Sequence, residues 1–431
     1  MARILIIGGS LGGLFAANML LRDGHDVHVM ERSPGSLDGR GAGIVTHQAL
    51  NQALVRAGLD GRAGIENLGV AVQGRVVLAR DGSTQSALHM PQVLTSWSRL
   101  YALLKDLFPA GRYHCATSLQ RLSTTSGNVC ATFMRHQQQF KETADLLIAC
   151  DGIRSSVRAQ LAPTIRSSYA GYIAWRGMCD EAVLSSHTQN TLFNYFGFGL
   201  SAGEQILGYP VAGPGHATQV GKRCYNTVWY RTADANTTLV DLMTDEGGAH
   251  HANGIAPDQV ASRHTKAMRD DARRLLAPQF AEVIEKTVQP FFQPIHDLAS
   301  TQIAFGRVAL LGDAAFVARP HVGMGVTKAA LDACTLADCI RAHGATGNAL
   351  SHYEAQRLPA GLAVVARARS LGNHMQGSQE DVYQKFGAQA DDAAWVLEHT
   401  AVDLGAGPAG LLPPQPLLSR SPAAWLQTAE P

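Results

Sequence analysis

At 431 residues, with 46% hydrophobic and 16% charged side chains, the chain has the make-up of a well-buried enzyme of about two or three domains. Its 36 basic and 35 acidic residues leave a formal net charge of +1, which offers no electrostatic footprint for nucleic acid or an anionic membrane. Seven dispersed cysteines without a CxxC pair argue for reduced thiols in a cytoplasmic protein and against a metal site, and no apolar run approaches the length of a bilayer span.

Ile4 to Ile7 form a continuous apolar run, the mark of a strand buried on both faces. The run breaks at once into "GGSLGG", with no small-residue cleavage pattern, so it reads as a strand and not as a signal peptide. Leu14, Ala17 and Leu21 then recur at helical spacing, and "HDVHVMER" supplies a second strand ending at Glu31. Together they make a βαβ unit, the connection that parallel strands require. A helical pattern follows across "SWSRLYALLKDL", and "TADLLIAC" is another buried strand running into "DGIRSSVR".

The character of the chain changes after about residue 165. "GYIAWRGM", "LFNYFGF", "QILGYPV" and "CYNTVWYR" are aromatic-rich strands separated by turn residues, as in an antiparallel sheet. Helical segments come next, and "GRVALLGDAA" (306–315) returns to the buried-strand pattern of the beginning. The expected fold is therefore α/β: a discontinuous Rossmann-like domain in two parts (1–165 and 296–370), an inserted antiparallel sheet domain (166–295), and a C-terminal segment with helix (371–431). The Pro- and Gly-rich stretch "GAGPAGLLPPQPLLSRSP" near the end is given no function.

Three loops carry the chemistry. In the first, Gly8 permits the tight turn, Gly13 permits close packing of helix on sheet, and the helix N-terminus offers amides to a pyrophosphate. Ser10 stands where the second glycine of G-x-G-x-x-G belongs, and its small hydroxyl can serve the same cradle. Glu31 follows at nearly the spacing of about 20 residues for an acid that accepts ribose hydroxyls, which favours NAD or FAD over NADP. The second loop places Asp151 at the carboxyl edge of a strand, where ligands of such sheets bind. In the third, Asp313 ends a strand, and the chain passes Pro320, Gly323 and Gly325 into another helix N-terminus. Two helix termini and an acid suited to a polyol chain fit the long dinucleotide FAD better than NAD.

In combination, the N-terminal fingerprint, Asp151-Gly152 and Gly312-Asp313 resemble the single-component "group A" FAD-dependent aromatic monooxygenases. "GGSLGGL", "ERSPGSLDGRGAGIV", "WRG", "NYF" and "ARPH" are most similar to the 2,6-dihydroxypyridine 3-monooxygenase subgroup, in which serine also takes the second glycine's place. The resemblance implies that Ser10, Leu11 and Gly13 hold the pyrophosphate, with Arg99 paired to it, and that Glu31, Arg32 and Leu119 serve the adenosine end. It sets Gly43 and Ile44 beside the flavin, Asp313 on the ribityl or ribose hydroxyls, and Gly325 and Val326 at the pyrimidine edge. One departure is Phe316, where the family often has histidine.

The resemblance also implies the reaction: NAD(P)H reduces FAD, and a flavin C4a-hydroperoxide formed with O2 attacks an electron-rich hydroxylated benzene or pyridine ring. Whether NADH or NADPH serves is left open, as is a homodimer. His47 and His321 are by position the candidates for a base or substrate contact. The Pro320 carbonyl is a candidate acceptor for a substrate hydroxyl, and Tyr195 and Tyr209 are candidates on the sheet. Trp175, Phe198 and Trp229 read as core. A flavin-dependent halogenase would carry W-x-W-x-x-I-P, which Trp97-Ser98-Arg99 does not supply. The alternatives kept are an FAD-binding oxidoreductase without ring hydroxylation and a non-catalytic flavin-binding redox sensor.

Overall fold

The computed structural model describes residues 1–37, 43–59, 68–201, 203–373 and 392–402. The stretch 38–42 in "DGRGAGI" and the Pro-rich stretch beyond 402 lie outside the described residues.

The first strand, Arg3–Ile7, is apolar from Ile4 onward because it sits inside a six-stranded sheet. It pairs in parallel with Asp26–Met30 on one side and with Leu146–Ala149 on the other. Val308–Leu310 extends the sheet beyond Leu146–Ala149, again in parallel, and the short Ala304–Phe305 closes that edge antiparallel. Helix Leu11–Arg22 packs on this sheet beside helix Gly325–His343, so Leu14, Ala17, Ala330 and Ala333 share one apolar core. The glycines at the first turn are sterically required. Gly8 has φ +101°, and a Cβ there would lie 2.4 Å from the Cys150 carbonyl oxygen. A Cβ on Gly13 would lie 2.0 Å from the Gly8 carbonyl oxygen, so any side chain would push the helix off the strand.

The second sheet has nine strands and two apolar faces. Along Ser168–Asp180, side chains alternate between them. Trp175 faces the helices Ser262–Leu275 and Pro278–Lys286, where it joins Trp229, Met268 and Phe280 in a core. Tyr172 and Ala174 point the other way, into a cluster with Phe196, Tyr209 and Tyr230. Trp175, Phe198 and Trp229 are all buried, as core residues should be.

The expected boundaries at 166 and 295 do not follow the sheets. Gly43–Val45, Val70–Leu78 and Thr84–Ser96, all earlier in the chain, form one edge of the nine-stranded sheet, and Phe316–Val317 ends the other. The sheet is also not antiparallel throughout, because Tyr195–Ser201 pairs in parallel with Val70–Leu78. Alternation in "VAVQGRVVL" announces a strand, whereas its distant partner is fixed by pairing that sequence periodicity does not encode. A three-stranded meander, Thr117–Thr124, Val129–Arg135 and Gln138–Ala144, bridges two strands of the parallel sheet. The long helix Gly347–Gly372 packs on Gly325–His343.

Candidate active site

A cavity of about 460 Å³ opens between the carboxyl ends of the parallel strands and the Tyr172 face of the large sheet. The chain brings most of the expected residues to it. Ser10 and Leu11 line it from the first loop, Gly43 and Ile44 from the sheet edge, and Asp313 from the third loop. Pro320, His321, Gly323, Gly325 and Val326 complete that side, and Tyr209 reaches in from the large sheet.

Ser10 is the N-cap of helix Leu11–Arg22 yet makes no capping bond with its side chain. Its hydroxyl is therefore not committed to the helix, and the first-turn amides of Leu11, Gly12 and Gly13 have no intrahelical acceptor. Gly43 is fixed by its N–H donating to Oδ1 of Asn226 at 3.0 Å, and a Cβ there would meet the Tyr209 ring at 2.4 Å. The helix Gly325–His343 aims its N-terminus at the same cavity, and nothing stands within 4 Å of where a Gly325 side chain would begin.

Other expected residues lie elsewhere. Gly8 and Gly13 shape the turn but do not line the cavity. Glu31 is buried and accepts from the Gly9 and Ser33 amides, both at 2.8 Å, so it ties the glycine loop to the end of the second strand. Arg32 is exposed, and Arg99 sits half-buried in the first turn of helix Trp97–Asp106. Leu119 is buried in the meander opposite Phe133. Asp151 spends Oδ2 on the first turn of helix Ser156–Leu161, accepting from the Ser156 amide at 2.7 Å and its hydroxyl at 3.0 Å. His47 is buried away from the cavity wall, with Nδ1 2.8 Å from the Thr327 hydroxyl. Tyr195 packs with the Trp175 core, on the far face of the sheet from Tyr209.

His321 reaches the cavity, but its ring nitrogens are engaged. Nδ1 lies 3.2 Å from Oε1 of Gln205, and Nε2 lies 3.0 Å from the Tyr172 hydroxyl. The tautomer with its proton on Nδ1 matches both partners. Tyr230 lies against the ring, with centroids 4.1 Å apart. Behind Tyr172, Arg319 donates through Nε to Asp297 at 2.8 Å, and Arg369 holds the other Asp297 oxygen. Burial alone would raise the Asp297 carboxyl, but its bonds to Arg369 and Arg319 win and hold it below the usual range.

Asp313 projects into the cavity, exposed there yet encircled by protein, and accepts no hydrogen bond among the described residues. That enclosure raises its carboxyl pKa and Asp332 adds to the rise, while Lys328 opposes it. A ligand hydroxyl would relieve the carboxylate of this cost.

Sequence reasoning missed Arg176. It lines the cavity, forms no ion pair among the described residues, and has a buried Nε without a hydrogen-bond partner. The signal was available in the strand period, since Arg176 falls two residues after Ala174 and four after Tyr172, on the cavity face.

The donor set fits FAD. Two helix N-termini, an unpartnered carboxylate and a glycine-cleared floor converge on one cavity. A family model described as FAD binding domain matches residues 1–213 and 247–368, and one described as FAD binding domain-like matches 169–297. The 2,6-dihydroxypyridine 3-monooxygenase of Paenarthrobacter nicotinovorans is 31% identical over 87% of this chain and 91% of its own. The 3-amino-4-hydroxybenzoate 2-monooxygenase of Streptomyces cremeus is 28% identical over 93% and 95%. The solved 2,6-dihydroxypyridine-3-hydroxylase from Arthrobacter nicotinovorans superposes with a TM-score of 0.80 at 29% identity, covering 87% of this chain and 93% of that one.

The chain belongs to this FAD-binding family, and within it to the FAD-dependent monooxygenases of aromatic and heteroaromatic rings. FAD is the cofactor its site is built to hold. Among the described residues no helix is long and apolar enough to cross a membrane, and no cluster of His, Cys, Asp or Glu could hold a metal ion.

Proposed function

We propose that this protein hydroxylates an electron-rich ring that carries an ionised hydroxyl, of the hydroxypyridine or hydroxybenzene class, using NAD(P)H and O2. The observation that carries this reading is Arg176, a cation on the cavity wall with no acid of its own among the described residues. Its field reaches Tyr209 and Tyr230, the aromatic neighbours on that face, where it opposes the rise that burial imposes on their hydroxyls. The same field favours an aryloxide over a phenol, and an aryloxide is the more nucleophilic ring.

FAD, once bound and reduced by NAD(P)H, supplies the activation of O2 for transfer to the ring. The chain's own groups do the rest. Ser10, the Leu11–Gly13 amides and the Gly325 helix terminus would hold the cofactor's anionic portions, and Asp313 a hydroxyl of its polyol. Arg176 would orient the ring by its anionic oxygen, with the Pro320 carbonyl as acceptor for a second, protonated hydroxyl. Val228, Leu207 and Phe196 enclose the ring in apolar surface and exclude water. Of the two histidines, His321 stands at the cavity and His47 does not. His321 accepts a substrate proton at Nε2 only if Tyr172 turns its hydroxyl away.

The test is NAD(P)H oxidation by the purified flavoprotein across a panel of hydroxypyridines, hydroxynicotinates and hydroxybenzoates. The reading predicts that at least one such ring accelerates oxidation and is itself converted. Indifference to every ring would favour the redox-sensor alternative.

A further inference from the structure

Outside the site described above, the most unusual buried group is Arg75, fully buried in the strand Val70–Leu78. Arginine at such depth ordinarily faces a carboxylate, and here none lies within ion-pairing distance among the described residues. Five N–H donors find five acceptor contacts instead. Nε and Nη2 donate to Oε1 of Gln92 at 3.1 and 2.9 Å, and Nη2 also donates to the Ala401 carbonyl at 2.8 Å. Nη1 donates to the Leu397 carbonyl at 3.0 Å and to that of Thr400. Burial lowers the guanidinium pKa to about 10, so the charge survives at neutral pH.

The three carbonyl acceptors belong to the C-terminal end of the short helix Ala393–His399 and the two residues after it. A cation is favoured at that end, where carbonyls lack intrahelical partners. A second arginine, Arg367, donates to the His399 carbonyl at 3.2 Å. The gripped segment is part of the cavity. Thr400 and Ala401 line it, and the Ala401 N–H donates to the His321 carbonyl at 3.1 Å. Val396, Leu397 and Ala401 also complete the apolar cluster of Phe196, Tyr209 and Tyr230.

We propose that Arg75 is a positioning residue that clamps residues 397–401 as a wall of the active-site cavity and thereby keeps water out of it. Arg75 does not line the cavity, and it works through the carbonyls of that segment. The idea rests on the ring-hydroxylating reading only for its coupling readout, because solvent access to the flavin needs no substrate.

The experiment uses full-length holoenzyme carrying Arg75→Met, Arg75→Lys or Val396→Lys. Val396 is fully buried and does not line the cavity, so a lysine there lifts the segment from its other side. Flavin accessibility is read by iodide quenching of flavin fluorescence, segment release by chymotryptic cleavage at Trp395, and coupling by hydrogen peroxide formed per NAD(P)H consumed. Arg75→Met should raise the quenching constant about threefold and cleavage about tenfold, the scale of a local opening worth a little over 1 kcal/mol. Peroxide should rise with them. Val396→Lys should reproduce both changes, and the double variant should add little to either single one. Arg75→Lys keeps charge without the fork and should fall near Arg75→Met.

Wild-type quenching and cleavage in Arg75→Met would overturn the proposal, as would full rescue by lysine. If Arg75→Met does not fold, Val396→Lys decides, and wild-type quenching there would equally overturn it. Raised quenching with no ring hydroxylation in any form would uphold the clamp and count against the substrate reading instead.

Discussion

The Nε2 of His321 sits 3.0 Å from the hydroxyl of Tyr172, which makes this cavity-lining histidine the inner end of a buried polar chain. The chain continues through Arg319 and Asp297 to the half-exposed Arg369. Tyr172 itself lies behind the wall, so its hydroxyl governs how His321 stands without touching a ligand.

Tyr172→Phe should therefore leave flavin content unchanged and slow ring hydroxylation by about tenfold, as expected when a positioned group relaxes. It should also cost about 1 kcal/mol, the net worth of the buried hydrogen bond that it deletes. Flavin absorbance, product formation and denaturant unfolding check the three parts separately. Wild-type hydroxylation in this variant would show that His321 needs no such support.

Arg176→Met should raise KM for the ring by about thirtyfold, the equivalent of the roughly 2 kcal/mol that loss of one partner from a buried charge pair costs. Flavin content should not change, and a ring that carries no ionisable group should lose far less. Steady-state kinetics on an ionised and a neutral ring make the comparison. Equal losses for both rings would remove Arg176 from the recognition of the anion.

For the cofactor, Asp313→Ala should release flavin, since this carboxylate has no protein partner among the described residues and stands at the strand end. Ser10→Gly restores the G-x-G-x-x-G pattern and should cost only a few tenths of a kcal/mol in helix capping. Gly13→Ala, by contrast, places a Cβ 2.0 Å from the Gly8 carbonyl and should abolish flavin binding. Flavin-to-protein absorbance ratios after gel filtration decide all three. An Asp313→Ala protein that stays fully yellow would contradict the site as drawn.

Asp297 supplies the pH dependence. Its folded-state pKa is depressed by Arg369 and Arg319, so its stabilisation is present above the unfolded aspartate value of about 3.9 and is lost as pH falls through the lower folded value. At pH 7, Asp297→Asn leaves Arg319 buried without its counter-charge and should cost about 3–5 kcal/mol. The difference between variant and wild type should shrink as the pH drops below the usual aspartate range. Urea melts at neutral and acidic pH give the answer, and a pH-independent gap would assign the stability to shape instead of charge.

The parallel βαβ unit, the three ligand loops and the aromatic sheet were all legible in the chain, because each rests on local period or on glycine sterics. Gly8, Ser10, Asp313 and the Gly325 helix terminus were readable for the same reason. Glu31, Asp151 and His47 show where local reading stops. Each is a fitting residue type at a plausible place, and what it holds in the fold, the Gly9 amide by Glu31, the Ser156 turn by Asp151 Oδ2 and Thr327 by His47 Nδ1, depends on how loops close. Tyr195 and Tyr209 are equally plausible by composition, and only strand register puts one at the core and the other at the cavity. The role of Arg75 was beyond reach from sequence, since the carbonyls it holds lie more than 300 residues away along the chain.

The most direct test of the central claim is isotopic. Turnover of an accelerating hydroxypyridine or hydroxybenzoate under labelled dioxygen, 18O2, should place one labelled oxygen atom on the ring for each NAD(P)H consumed. NAD(P)H oxidation in which every accelerating ring is recovered unchanged, with the label entirely in hydrogen peroxide, would contradict the assignment of this cavity to ring hydroxylation.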